Sequence, residues 1–381
     1  MTVFSTTFFG VVFPSESHAE NIVNVPAQIL SNSVNWDKSN TTYKIVGLIQ
    51  VPRDLTITIG PGVSIDASSG SFLLLGALKF LGTSNSRIKL IVDRNSILDT
   101  RSVPSELKFN FTDVTNISTT GYYSKLLQGQ LPNNLDIQDS TFHNFSNLGI
   151  NANQFSIQRS FFDNVAYITY ECENQSAYKV EIIQNYFLNL ECLPAFDPGI
   201  YVSLGTSRPS FVLKSNVFDN ESRVLSMKFR PVKNYDPNSF EINTFLTLNN
   251  LRIKATNGDT MNVLLPNNYW GYTTELEIRK KVSIIDGYSD ITLPKIQLEP
   301  VLKSKPITNQ GEIYFNSYIR EKAAAAEKAA AEKAAAEKAA AEKAAAEIAS
   351  RAASEALKCS QLVQRALDLK NRITASITQY K

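Results

Sequence analysis

Four ten-residue phrases recur in the middle of the chain: LDIQDSTFHN from Leu135, FSIQRSFFDN from Phe155, VEIIQNYFLN from Val180 and FVLKSNVFDN from Phe211. Apolar and polar letters alternate at the start of each: Leu135 and Ile137, Phe155 and Ile157, Val180 and Ile182, Phe211 and Leu213. Side chains on a strand point to opposite faces in turn, so each phrase predicts a short strand with one buried face. An aromatic then anchors each unit, at Phe142, Phe162, Phe187 and Phe218, and the series continues through Phe245 and Trp270. Two positions before these anchors stand Ser140, Ser160, Asn185, Asn216, Asn243 and Asn268. Asn144, Asn164, Asn189 and Asn220 follow the first four anchors at the same distance.

The anchors are spaced 20 to 31 residues apart. Strand-bearing repeats of that length predict a solenoid, in which each unit buries its apolar face on the next. Successive units then pair as parallel strands about 4.8 Å apart, with equivalent residues directly above one another. Stacked Asn and Ser side chains at an inward bend would satisfy the backbone groups of the turn. The variable spacing is read as loops bulging from the bends. Neither a leucine-rich spacing nor a 3.6-residue helical period is present.

The flanks carry a resemblance. Upstream stand Val51-Pro52, Leu55-Thr56-Ile57, Pro61-Gly62-Val63, Ile65, Gly76, Leu78, Gly82-Thr83 and Ile88. Downstream stand Asn268, Trp270, Gly271, Ile284-Ile285-Asp286 and Pro300-Val301-Leu302. These segments resemble the opening and closing coils of secreted and surface right-handed parallel β-helix proteins, the pectin-lyase-like superfamily. The match spans roughly residues 40 to 303, departing at Ala77 and at the Leu-rich stretch before it. The resemblance implies an all-β, right-handed parallel β-helix, with Trp270 sealing its last coil. It leaves activity open, because that fold hosts lyases, hydrolases, adhesins and scaffolds.

At the N-terminus, Val3 to Phe13 is apolar and Ser17-His18-Ala19 resembles a signal-peptidase site, so residues 1–19 read as a cleaved secretory signal. The run is too short to span a bilayer. Cys172 and Cys192 are about one coil apart, within disulfide reach if stacked; a bonded pair and two buried thiols both stay open. The 38 basic and 36 acidic residues leave a net charge of +2, with no basic stripe of the kind that nucleic acid requires.

Composition changes abruptly at Ile319. Residues 319–381 begin as repeats of Ala, Glu and Lys, strong helix formers that also supply i,i+4 pairs such as Lys328–Glu332 and Lys333–Glu337. Their five-residue period spirals charge around all sides, predicting a solvated rod of about 95 Å. From Ile348 onward, Ala352, Cys359, Leu362, Ala366, Leu369, Ile373, Ser376 and Tyr380 follow heptad spacing, with Glu355 as the breach. Residues 348–381 therefore suit association with further copies of the chain or with a partner, Cys359 at the seam being able to cross-link; packing along its own β-helix and remaining a lone helix both stay open. The predicted layout is a β-helix over 20–305, a linker over 306–318 and the helix beyond.

Candidate chemistry lies beside the anchors. Asp139, Arg159 and Gln184 form one column, and His143, Asp163, Leu188 and Asp219 another. Asp139, His143, Arg159 and Asp163 would meet on adjacent coils, the best catalytic or Ca²⁺ set the chain offers. No other cofactor or metal site is indicated. Between these columns run Thr141, Phe161, Tyr186, Val217, Thr244 and Tyr269, of which Phe161, Tyr186 and Tyr269 are candidate faces for stacking sugars, the other reading being that this face packs under a loop or the tail. The sequence favours a non-enzymatic exported module, secreted, surface-bound or periplasmic, that binds glycan or acts as an adhesin. A polysaccharide lyase or glycoside hydrolase is the alternative, and a structural spacer or assembly subunit the third reading.

Overall fold

Each phrase folds as strand, two-residue turn, strand. In the computed structural model, residues 21–93, 106–117, 134–145, 154–165, 168–170, 179–188, 200–202, 210–219, 225–229, 240–255, 262–306 and 309–379 are described. The chain divides into two units, Met1–Phe315 and Asn316–Lys381. In the first unit, strands alternate between two long sheets, so Asn134–Gln138 of one is followed by Thr141–Phe145 of the other. The first sheet has ten strands, from Asn21–Ile29 to Thr244–Phe245. The second has nine, from Val34–Trp36 to Phe240–Glu241. A third sheet joins Ile168–Tyr170, Ile200–Val202, Leu225–Phe229, Leu251–Ala255 and Ser283–Ile285. Neighbouring strands in all three pair in parallel, each with the strand one coil on. The result is a β-helix-like solenoid.

The register is the one the anchors predict. Phe142 pairs with Phe162, Phe162 with Phe187, Phe187 with Phe218 and Phe218 with Phe245. Their rings stack nearly parallel inside the coil, with centroids 5.2 Å apart for the first pair and 5.1 Å for the others. Trp270 continues the stack at 4.3 Å from Phe245 and is 1% exposed. It ends the aromatic column as expected.

The polar column is a continuous ladder. The backbone N–H of Ser140 donates to Ser160 Oγ (3.1 Å), and that of Ser160 to Asn185 Oδ1 (2.8 Å). Asn185 then donates to Asn216 Oδ1 (3.0 Å), Asn216 to Asn243 Oδ1 (3.1 Å) and Asn243 to Asn268 Oδ1 (2.9 Å). Asn side-chain amides also donate to Ile157, Ile182, Leu213 and Phe240 carbonyls. All six of these Ser and Asn residues are fully buried, where an unmet polar group would cost about 1–3 kcal/mol. The ladder removes that cost at every turn.

The residue before each of the six ladder positions, and Phe111 before Thr112, whose N–H donates to Ser140 Oγ, takes a left-handed conformation: Phe111, Asp139, Arg159, Gln184, Ser215, Ile242 and Asn267 have φ between 46° and 61°. The C-terminal end of the first unit is closed by a short helix, α1 (Glu275–Arg279), capped by Thr274. Its Ile278 is fully buried, and Arg279 ties it to the buried carboxylate of Asp286 (3.1 Å).

A single helix, α2, spans Gln310–Gln379, 70 residues or about 105 Å. It begins inside the segment read as a linker, nine residues before the composition changes. Asn309 caps it, its Oδ1 accepting from Glu312 N at 2.8 Å. In the second unit the Ala/Glu/Lys pairs lie at 3.9–4.0 Å with side chains 70–80% exposed, so they add little beyond helix propensity. Residues 1–20, which include the signal assigned to 1–19, lie outside the described residues.

Candidate functional site on the outer face

The turn column brings Asp139 and Arg159 together. Arg159 makes a two-pronged contact with the carboxylate, Nε to Oδ1 at 3.0 Å and Nη2 to Oδ2 at 2.7 Å. This bond is the main reason its guanidinium is held above its ordinary pKa. The first turn of α2 adds a third contact: the Tyr314 hydroxyl donates to Asp139 Oδ1 at 3.2 Å. Arg87 holds Asp113 through Nε, shared between Oδ1 and Oδ2, and Nη2 to Oδ1, donates to the Asp139 carbonyl at 3.0 Å, and lies over the Tyr314 ring at 5.2 Å. Both oxygens of Asp139 are thus engaged by the chain itself, and the residue is 7% exposed. A carboxylate so held is poorly placed to act as nucleophile or base.

His143 and Asp163 meet on adjacent rungs, as the spacing predicts, with Nδ1 3.7 Å from Oδ2. The imidazole stands edge-on to Phe161 at 5.6 Å. The four catalytic candidates therefore form two pairs. Among the described residues, no group of three or more His, Cys, Asp or Glu is placed to hold a metal ion, Ca²⁺ included.

Of the two readings of the aromatic column, packing under the tail holds for Phe161 and Tyr186, and sugar stacking does not. Phe161 and Tyr186 are 0% and 2% exposed, yet they lie outside the core cluster. What covers them is Phe315, stacked on Tyr186 at 4.2 Å and 6° and tilted against Phe161 at 5.6 Å. Gly311 donates to the Gln184 carbonyl, and Asn309 Nδ2 to those of Ser215 and Asn185. The approach at Gly311 is so close that an added Cβ would stand 2.4 Å from the Tyr186 nitrogen. The two rings read as a sugar platform are thus a docking site for the start of α2, whose covering residues carry no repeat signature. Tyr269 remains partly exposed. Cys172 and Cys192 lie outside the described residues.

A second surface went unread. Outward positions of the second sheet align Lys108, Asp136, Ser156 and Glu181 in one column, and Asn110, Gln138 and Gln158 in the next. Lys108 reaches Asp136 at 2.9 Å, and Gln138 donates to Asp136 at 3.0 Å. Gln158 bridges Ser156 (3.1 Å) and Glu181 (3.3 Å). All are partly exposed. Their signal was the polar half of the Leu135/Ile137 alternation, one strand before the positions beside the anchors.

The coil, its ladder and these outward columns define a protein of parallel β-solenoid class. Among the described residues no helix is long and apolar enough to cross a membrane. Compared with family models, with curated proteins and with solved structures, the chain matches none.

Proposed function

We propose that the chain is a non-enzymatic module, secreted or displayed at the cell surface, that binds an extended polysaccharide along the outer face of the second sheet. One observation carries this reading: the columns of Lys108, Asp136, Gln138, Ser156, Gln158 and Glu181 stand in register on successive rungs. Rungs about 4.8 Å apart give a flat lattice of donors and acceptors that repeats along the coil axis. A polymer of hydroxylated rings presents a matching repeat, and many weak contacts then add along its length. The parallel coils are compatible with the pectin-lyase-like resemblance, and the strong preference of parallel crossovers supports a right-handed coil. An adhesive role fits better than cleavage, since Asp139 and Arg159 bind each other and Tyr314. The apolar run at Val3–Phe13 is what supports export.

A glycan array followed by titration calorimetry tests the reading. The full chain is expected to bind at least one polysaccharide without shortening it. Gln158→Ala combined with Glu181→Ala should weaken that binding about tenfold or more while leaving the unfolding midpoint nearly unchanged. Release of oligosaccharide products, or equal affinity in the double variant, would overturn the proposal.

A further inference from the structure

The heptad face of α2 is unlike that of a self-pairing helix, and its charges say what it pairs with. Along the seam, Ile348, Leu362, Leu369 and Ile373 are 71%, 63%, 57% and 53% exposed, a degree of exposure unusual for large apolar side chains at seam spacing. Immediately before the seam residues Ala352, Cys359, Ala366 and Ile373 stand Arg351, Lys358, Arg365 and Arg372. Positions seven apart fall on one side of a coiled-coil helix, so one edge of the seam is cationic throughout. The other edge, formed by Ala349, Ala356, Val363 and Lys370, carries no acid.

Two copies of this helix cannot satisfy that pattern. Antiparallel pairing would set the cationic edge against itself. Parallel pairing would set it against Ala349, Ala356, Val363 and Lys370, and would bring two Glu355 side chains together within the seam. Like charges facing each other there are unfavourable and serve to exclude wrong partners. In a parallel pair the small side chains of Ala352, Cys359 and Ala366 would also face their own copies, leaving room for bulk that a second copy would not supply there. Within the helix, Glu355 pairs with Arg351 at 3.4 Å, with side chains 68% and 84% exposed respectively, so the pair is weak.

We infer that residues 348–373 bind an α-helix of another protein whose flanking edge is acidic, forming a mixed coiled coil. The partner's Glu or Asp residues face Arg351, Lys358, Arg365 and Arg372. Its bulky apolar residues fill the layers of Ala352, Cys359 and Ala366, and a cationic or amide side chain meets Glu355. This selects a partner helix of stated charge over the self-association that the seam spacing equally allows, and it is independent of what the solenoid binds.

The test uses the full chain and two synthetic four-heptad peptides with leucine seams, one with Glu on both flanking edges and one with Lys. Sedimentation velocity should give a monomer for the chain alone. Fluorescence titration should show the Glu peptide binding at least about tenfold more tightly than the Lys peptide, with an affinity that falls as salt rises. Reversing the edge (R351E, K358E, R365E, R372E) should exchange that preference; because the variant must gain the Lys peptide, a simple folding failure would not pass as success. A dimer of the chain that Leu362→Glu abolishes would overturn the inference in favour of self-pairing. Binding to phosphatidylserine vesicles with neither peptide bound would overturn it in favour of an anionic lipid surface. Equal binding of the two peptides, or binding of neither with no vesicle binding, would also defeat it.

Discussion

Ile242 sits at φ +61°, a conformation that a β-branched side chain rarely adopts. Left-handed geometry costs a non-glycine residue about 1–2 kcal/mol. The neighbouring ladder outweighs that cost. Asn216 alone accepts from the backbone and side chain of Asn185 and donates to the Ile182 and Lys214 carbonyls, each bond contributing about 1 kcal/mol. The turn is held by the ladder residue, so the residue before it is free to vary in chemistry. This explains a difference in legibility. The Ser/Asn column could be read from the chain because only hydrogen-bonding side chains serve there. The left-handed column could not, since Phe111, Asp139, Arg159, Gln184, Ser215, Ile242 and Asn267 share no chemistry and include no glycine. Relieving the least suitable member should stabilise the fold. Ile242→Asn, at a half-buried position, is expected to raise unfolding free energy by about 1 kcal/mol. In urea titration this appears as a higher midpoint at unchanged slope; a lower midpoint would mean that packing of the Ile242 side chain outweighs backbone strain.

At the scale of the element, the first turn of α2 shows why part of the candidate site stayed open between two readings. Asn309, Gly311, Tyr314 and Phe315 belong to no repeat, and the solenoid residues they hydrogen-bond lie 94 to 175 positions earlier. Local pattern reports what a strand presents, but it cannot report what a distant segment lays over it. Phe161 and Tyr186 were therefore legible as an outward aromatic pair open to a sugar or to a covering segment, while the residues that do the covering were not legible. The docking has a pH signature. Burial, followed by the nearby charge of Asp139, raises the Tyr314 hydroxyl above its ordinary value near 10. The folded state thus holds this proton more tightly than the unfolded chain. Its contribution is fully present below pH 10 and is lost as pH rises through the higher folded value. Below pH 10, Tyr314→Phe should lower stability by about 1 kcal/mol through loss of the hydroxyl bond to Asp139. Above pH 10 the gap between wild type and variant should close, because only the wild type then bears the cost of burying a phenolate or breaking the contact. Paired denaturation curves from pH 8 to 11.5 measure this. A gap that stays constant across the range would show that the hydroxyl does not titrate within the docked turn.

For the molecule as a whole, the decisive property is that each coil touches chiefly its two neighbours, so stability is a sum over rungs and their interfaces. A whole rung should be removable if the cut respects the column. Deleting residues 216–242 joins Ser215 to Asn243, restoring a left-handed residue followed by a ladder asparagine. Phe187 would then stack on Phe245 and Asn185 bond Asn243, while Ile200–Val202 meets Leu251–Ala255 in the register both now share with Leu225–Phe229. Asn309 keeps its contacts with Ser215 and Asn185, so docking of α2 is preserved. The shortened chain should unfold cooperatively, with a denaturant slope smaller by about a tenth, in line with the residues lost. Deleting 216–241 differs by one residue but places Ile242 at the ladder position. Side chains on a strand alternate with period two, so that slip turns every following inward residue outward unless the turn absorbs it as a bulge, and either way an apolar side chain replaces a hydrogen-bonding one at a buried bend. This second deletion should unfold at a much lower denaturant concentration than the first. Equal stability of the two would mean that hydrophobic burial alone aligns the coils, and that the asparagine column follows the register instead of setting it.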